Sequence, residues 1–109
     1  MAQVTVRDDQ NGAKITARVG DTIVVRLPEI SGGGYRWTLT SVDAGTLEMK
    51  EHSYEPARAG VGGAGASVWR FTLKHAGRTR LELKKVRPWN PADPAGERFA
   101  VDLEIDKQE

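Results

Sequence analysis

The feature that most constrains the fold of this chain is an alternation of apolar and polar residues with a period of two. It recurs in eight short runs, and no segment carries the 3.6-residue spacing of a helix over ten residues. Alternation directs the apolar side chains of a strand to its buried face, so the polar members, among them Arg26, Lys84 and Glu104, are expected to face water. The apolar positions are, run by run, Val4 and Val6; Ile15, Ala17 and Val19; Ile23, Val25 and Leu27; Tyr35, Trp37 and Leu39; Leu47 and Met49; Trp69, Phe71 and Leu73; Leu81 and Leu83; Phe99, Val101, Leu103 and Ile105.

Turn signals separate these runs, among them Asn11-Gly12, Gly20-Asp21 and Ala76-Gly77. Many short strands without helices predict an all-β fold, specifically an immunoglobulin-like β-sandwich of seven to eight mostly antiparallel strands. The 109 residues suffice for one such domain and are too few for two ordinary ones. A single domain over residues 1–109 is therefore expected.

The charge balance and the cysteine content exclude several classes of partner and cofactor. Sixteen basic and fifteen acidic residues give a net charge of +1, so neither nucleic acid nor a membrane is an expected partner. The chain has no Cys and two His, and no cofactor or metal site is predicted. No signal-peptide pattern follows Met1. The location is left open between the cytoplasm and, if a signal was removed, the periplasm or the exterior, and a monomer is expected.

Three segments between the runs exceed the length that a tight hairpin needs: Pro28–Gly34, Glu55–Ala66 and Arg87–Glu97. In an immunoglobulin-like sandwich these loops would join strands B to C, D to E and F to G. All three would then lie at one end of the sandwich, where such domains carry their binding loops. The sequence therefore predicts a recognition surface at that end.

Two patterns suggest an enzyme, and their context rejects both. Gly60–Gly65 formally matches the dinucleotide fingerprint G-x-G-x-x-G, but a strand pattern follows where the fingerprint requires a helix. His52 and Ser53, with Asp43 or Glu51, could be drawn as a catalytic triad, but adjacent strand residues point to opposite faces. No catalytic residue is predicted.

The three tryptophans divide by their surroundings. Trp37 and Trp69 lie inside strand runs and are expected in the core. Trp89 lies between Pro88 and Pro91, which stiffen the backbone and remove two N–H groups. Its ring either covers the end of the sandwich or is displayed as an anchor for a partner, and the sequence alone leaves both open.

The three loops together resemble those of the chagasin family of cysteine-protease inhibitors. A Gly-Tyr-x-Trp motif ends the first loop at Gly34–Trp37, a G-x-G-G motif lies at Gly60–Gly63, and Arg-Pro-Trp begins the third loop at Arg87–Trp89. The order of the motifs and the flanking strands fit the family across nearly the whole chain. One departure is in the first loop, where the family commonly has Asn-Pro-Thr-Thr before Gly-Tyr and this chain has residues 30–33, Ile-Ser-Gly-Gly.

The resemblance implies a reversible, non-covalent inhibitor that blocks the cleft of a papain-like (cathepsin-type) protease with its three loops. Gly32–Gly34 would lie over the catalytic thiol, the Gly60–Gly65 loop on one side and Trp89 on the other. Arg87 would bond across the interface, stack on Trp89, or form a salt bridge within its own loop. The alternative is an adhesion or carbohydrate-binding module that uses the same loops. The implied protease contacts are Ser31, Gly32, Gly33, Gly34, Tyr35, Gly60, Val61, Gly62, Gly63, Arg87, Pro88 and Trp89.

Overall fold

A computed structural model of the chain describes residues 2–29, 34–56, 65–90, 92–93 and 96–107. Although Val19 and Tyr35 lie one residue outside theirs, each of the eight alternating runs coincides with a strand, which confirms the predicted all-β class. The one helix in the described part is a 3-10 turn at Asp8–Gln10, and no described helix has the length and apolarity to cross a membrane. The strands are β1 (Gln3–Arg7), β2 (Lys14–Arg18), β3 (Thr22–Glu29), β4 (Arg36–Ser41), β5 (Leu47–Glu55), β6 (Gly65–Leu73), β7 (Gly77–Val86) and β8 (Glu97–Asp106).

The strands form two four-stranded sheets, in the orders β1-β3-β6-β5 and β2-β8-β7-β4. Most neighbours are antiparallel, and the exceptions are the parallel pairs β1–β3 and β2–β8. β1 and β2 lie in different sheets and run in opposite directions, since β1 is parallel to β3 and β2 is parallel to β8. The other six strands have the order of an immunoglobulin-like sandwich, with B, E and D facing G, F and C.

The core lies between the sheets and consists of the inward positions of the alternating runs. Trp69 and Phe71 contribute the largest side chains from β6, and Leu83 and Val101 face them from the other sheet. Trp37 is also buried in this cluster. The prediction that Trp37 and Trp69 are core residues is confirmed.

Two sequence predictions about exposure are wrong. Lys84 was expected to face water, but only 9% of the residue is exposed, because the chain at Gly96 passes within contact distance of its Cε atom. The apolar stem of a lysine can be covered in this way. Met49 belongs to an apolar run, yet it is 52% exposed because β5 is an edge strand with no neighbour on one side.

A β-bulge in β5 redirects the second half of that strand. Met49 lies opposite Phe71 and His52 lies opposite Trp69, so three residues on β5 span the same distance as two on β6. Directly opposed residues share a face of the sheet, and His52 and Tyr54 therefore turn toward the opposite sheet. Strict alternation from Met49 would have directed them outward.

The three loops leave the sandwich at one end, as predicted, and this end is called the loop pole below. β3 and β5 end there and β6 begins there, while β7 ends beside the starts of β4 and β8. The predicted loop boundaries were too wide, because the backbone pairs further than the side-chain pattern shows. Pro28 pairs with Ala66, Glu29 with Gly65, and Glu55 and Glu97 are also strand residues.

Both ends of the described chain lie at the opposite pole, and Asp21 binds the first of them. Its carboxylate accepts hydrogen bonds from the backbone N–H groups of Ala2 (2.9 Å) and Arg18 (3.1 Å). Beside it, the N–H of Val19 donates to the carbonyl of Asp106 over 2.9 Å. The two backbone donors lower the pKa of Asp21 from its ordinary value of 3.8, with the Ala2 bond the larger cause.

The Asp21→Asn variant should be less stable than the original chain by about 1 kcal/mol at neutral pH, because an amide cannot accept both hydrogen bonds well. A lowered pKa in the folded state means that the ionised group stabilises the fold above pH 3.8 and loses that effect as the pH falls through the folded-state pKa. The difference in free energy of unfolding should therefore be constant between about pH 5 and 7 and shrink below about pH 4. Urea unfolding over this range measures it, and a constant difference down to pH 3 would contradict the assignment.

Candidate functional site

Trp89 stands at the tip of a tight turn at the loop pole. The turn spans Arg87–Asn90, closed by a 2.9 Å hydrogen bond from the N–H of Asn90 to the carbonyl of Arg87. Pro88 occupies the second position of this turn, where its fixed φ favours the bend. Trp89 follows it and is 72% exposed, the most exposed of the large hydrophobic residues in the described part of the chain. The structure therefore displays the ring rather than folding it over the sandwich.

The Trp89 ring rests against the end of the first loop, at Gly34. The φ of Gly34 is +82°, in the left-handed region that favours glycine. A Cβ at this position would lie 2.7 Å from Cη2 of Trp89, closer than two carbon atoms can approach. The absence of a side chain thus lets the first and third loops touch.

Arg87 joins the two aromatic residues of the pole. Its guanidinium carbon lies 4.6 Å from the ring centroid of Tyr35 and 5.8 Å from that of Trp89. Both distances are within the range of cation–π attraction. Within the described residues Arg87 makes no ion pair, so of the predicted alternatives the geometry favours stacking. Tyr35, Arg87 and Trp89 form one connected cluster, called the aromatic cluster below.

Five of the twelve predicted contact residues are thus placed at the loop pole: Gly34, Tyr35, Arg87, Pro88 and Trp89. The other seven, Ser31, Gly32, Gly33, Gly60, Val61, Gly62 and Gly63, lie outside the described residues. Sequence reasoning missed two further residues next to the pole, Glu29 and Tyr54. The sequence does contain one indication of Glu29. It occupies the next inward position of β3 after Leu27, so it is a carboxylate at a position that faces the core.

The base of the second loop depends on Gly65, the first residue of β6. A Cβ there would overlap the carbonyl oxygen of Glu55 and lie 2.5 Å from the hydroxyl of Tyr54. The Tyr54 ring thereby crosses β6, and its hydroxyl donates to the carbonyl of Glu29 on β3 over 3.3 Å. Only a residue without a side chain allows this crossing.

Gly65→Ala should lower the free energy of unfolding by roughly 2 to 3 kcal/mol, because the new methyl group meets backbone as well as a packed ring. The loss should reduce Tm by about 10 °C or more in a thermal melt, given the usual 4–8 °C per kcal/mol in domains near this size. Gly45→Ala is the matched control, since its Cβ would meet only the Asp43 side chain at 3.3 Å. Equal Tm values for both variants would show that the Gly65 contact is not restrictive.

The catalytic triad that could be drawn from the sequence does not form, because His52 pairs with Ser67 and not with its neighbour Ser53. His52 Nε2 lies 3.1 Å from Ser67 Oγ, and its ring stacks on Trp69 with centroids 4.2 Å apart. His52 lies in the middle of β5. Among the described residues no group of three or more His, Cys, Asp or Glu could hold a metal ion.

Comparison with known proteins places this geometry in a family. The profile described as Chagasin family peptidase inhibitor I42 matches residues 16–103. That span contains all three loops and the strands that carry them. The chain belongs to the chagasin family. The prediction of a protease inhibitor rather than an enzyme is confirmed by this membership, and the predicted partner class, a papain-like cysteine protease, agrees with it.

Individual chagasin-family relatives agree in sequence and in fold. Chagasin from Trypanosoma cruzi is 29% identical to this chain over 98 residues, which cover 85% of the chain and 89% of that protein. The cysteine protease inhibitor EhICP2 from Entamoeba histolytica superposes with a TM-score of 0.84 at 17% identity, covering 96% of each chain. PbICP-C, solved in complex with falcipain-2, gives a TM-score of 0.62 at 14% identity and covers 96% of this chain and 99% of that one. These structural likenesses establish the chagasin-type sandwich fold.

Proposed function

We propose that this chain is a reversible, non-covalent inhibitor of papain-like cysteine proteases, and that it blocks the active-site cleft with the loop pole. Residues 1–109 would act as one inhibitor domain. The first loop would lie over the catalytic thiol of the protease, with the second loop and Trp89 on either side. The seven predicted contacts outside the described residues belong to this proposal together with the five that the structure describes.

The observation that carries the proposal is the display of Trp89 at the loop pole. An exposed Trp on a proline-fixed turn loses little conformational entropy on binding, since the turn already restricts its backbone. Burying about 200 Å² of its ring at ~25 cal/mol per Å² gives an upper limit near 5 kcal/mol. Trp89 alone could therefore supply a large share of the binding free energy of the interface.

The chemistry of the pole suits blocking rather than reaction. The chain has no Cys, so it cannot form a mixed disulfide with the protease thiol, and the complex should dissociate intact. The left-handed φ of Gly34 also gives the first loop a backbone path that residues with side chains rarely adopt. A peptide bond held in such a path would not present the extended conformation that a protease cleaves.

Titration of papain with the chain tests the proposal. We expect competitive inhibition at nanomolar to micromolar concentrations, return of activity after dilution, and recovery of the chain at unchanged mass. Trypsin, which lacks a cysteine nucleophile, should be unaffected at the same concentrations. Cleavage of the chain, or no inhibition of a panel of papain-like enzymes at micromolar chain, would contradict the proposal. Saturable glycan binding lost in Trp89→Ala would then favour the carbohydrate-binding alternative.

A further inference from the structure

Glu29 is a carboxylate in a position where the fold otherwise buries hydrocarbon. It continues the inward series Ile23, Val25 and Leu27 on β3, and only 3% of the residue is exposed. A buried carboxylate without hydrogen bonds is costly, so its partners identify its role. It lies at the last position of β3, where the chain leaves one sheet for the first loop.

The carboxylate of Glu29 reaches across to the other sheet. Its Oε1 accepts a hydrogen bond from the backbone N–H of Trp37 over 2.7 Å. β4 is an edge strand, so an N–H that points away from β7 has no ladder partner. Glu29 supplies the missing acceptor and ties the end of β3 to β4 across the base of the first loop.

Two more hydrogen bonds converge on the same point. The indole N–H of Trp37 donates to the carbonyl of Pro28 over 3.0 Å, and the hydroxyl of Tyr54 donates to the carbonyl of Glu29 over 3.3 Å. The Trp37–Pro28 bond is a second link between β3 and β4 across the base of the first loop. The Tyr54 bond attaches β5, which carries the second loop. The three hydrogen bonds among Pro28, Glu29, Trp37 and Tyr54 are called the clamp below.

We infer that Glu29 is a positioning residue for inhibition: its clamp holds the bases of the first and second loops in the arrangement that enters the protease cleft. The inference rests on the proposed function and goes beyond it, because Glu29 itself is buried and touches no protease. Without the carboxylate, the end of β3 is joined to the start of β4 through the Trp37–Pro28 hydrogen bond only, and the two strand ends can separate more readily. The chain would then be competent to bind for only part of the time.

A reduced competent fraction has a distinctive kinetic signature. The apparent Kd rises in inverse proportion to the fraction of competent molecules, and association slows because fewer encounters succeed. Dissociation of the formed complex is little changed, since every contact with the protease is still present. Loss of a contact residue, in contrast, mainly accelerates dissociation.

The test measures association and dissociation rates of Glu29→Ala and Glu29→Gln on immobilised papain. Glu29→Ala should bind about tenfold more slowly, with a dissociation rate within about twofold of the original chain. Glu29→Gln keeps an oxygen that can accept the Trp37 N–H and should recover most of the association rate. A cavity of about 400 Å³ borders Glu29, Trp37 and Tyr54 and can admit water to the freed N–H, so the alanine variant is expected to fold.

Asp21→Ala is the matched control, because Asp21 is also a buried carboxylate that accepts backbone hydrogen bonds, at the opposite pole. It should lose stability and keep both rates. Equal association rates for Glu29→Ala and the original chain would overturn the inference. So would an equal slowing in Asp21→Ala, or a change confined to dissociation. Tyr54→Phe removes only a hydroxyl from the clamp and should slow association about threefold. This variant replaces Glu29→Ala in the test if Glu29→Ala does not fold.

Hydrogen exchange separates failure of the clamp from failure of the proposed function. The Trp37 amide should exchange about tenfold or more faster in Glu29→Ala than in the original chain or Asp21→Ala. If the original chain inhibits no protease but this amide is protected by Glu29, the proposed function fails and the clamp stands as a structural feature only. If the chain inhibits and the amide exchanges equally in all three proteins, the clamp inference fails.

Discussion

Trp89→Ala should weaken inhibition of papain by roughly 30- to 1,000-fold, which corresponds to about 2–4 kcal/mol of binding free energy. The ring is 72% exposed on a turn fixed by Pro88, so the free chain has little structure to lose when it is removed. The Tm should accordingly stay within about 2 °C of the original, because the ring contributes little to the core. The loss should lie mainly in a faster dissociation rate.

Met49→Ala provides the comparison for this result. Met49 is a second exposed large hydrophobic residue, at 52% exposure, and lies on β5, which ends at the loop pole. It lies six residues before the end of β5, or about 20 Å from the pole at 3.3 Å per residue. Its replacement should leave inhibition unchanged. Equal losses in Met49→Ala and Trp89→Ala would indicate a general effect of surface hydrophobicity instead of a contact at Trp89.

Gly34→Ala should reduce inhibition by roughly 100-fold through a displacement of Trp89. The new methyl group would lie 2.7 Å from Cη2 of the ring, and the exposed ring is the part that can move. It would then leave the position in which Arg87 stacks between it and Tyr35. The left-handed φ of +82° adds backbone strain of about 1–2 kcal/mol to the folded state.

Gly12→Ala isolates the strain from the displacement. Gly12 has a φ of +83°, and a Cβ there would meet nothing within 4 Å. Both variants should lose similar stability in urea unfolding, and only Gly34→Ala should lose inhibition. A comparable loss of inhibition in Gly12→Ala would attribute the effect to strain in the fold and not to the Gly34–Trp89 contact.

The strands and the core could be predicted from the sequence because alternation records burial directly. The prediction fails at positions where the alternation does not match the burial of the side chain. Met49 alternates correctly but lies on an edge strand, and Lys84 alternates outward but is covered by the chain at Gly96. The bulge after Met49 cannot be seen in the pattern at all, since it is defined by the register of two strands far apart in sequence.

The loop pole shows the same division between local and non-local information. Trp89 could be singled out because its two neighbouring prolines act within a few residues. Its contact with Gly34 and the stacking of Arg87 on Tyr35 join positions more than fifty residues apart, which no local pattern encodes. Glu29 was assigned to a loop, because a carboxylate in the last inward position of a strand resembles the polar start of a turn. Tyr54, which binds the Glu29 carbonyl, faces it only because of the bulge after Met49 in β5.

The course of the first and last strands has a practical consequence for how the inhibitor can be presented. Ala2 is hydrogen-bonded to Asp21 and Asp106 to Val19, so both lie at the pole opposite the loops. A surface tether at either end would leave the three loops facing solution. Two copies joined through a short linker between these ends would have their loop poles directed outward, and such a bivalent reagent could hold two protease molecules at once.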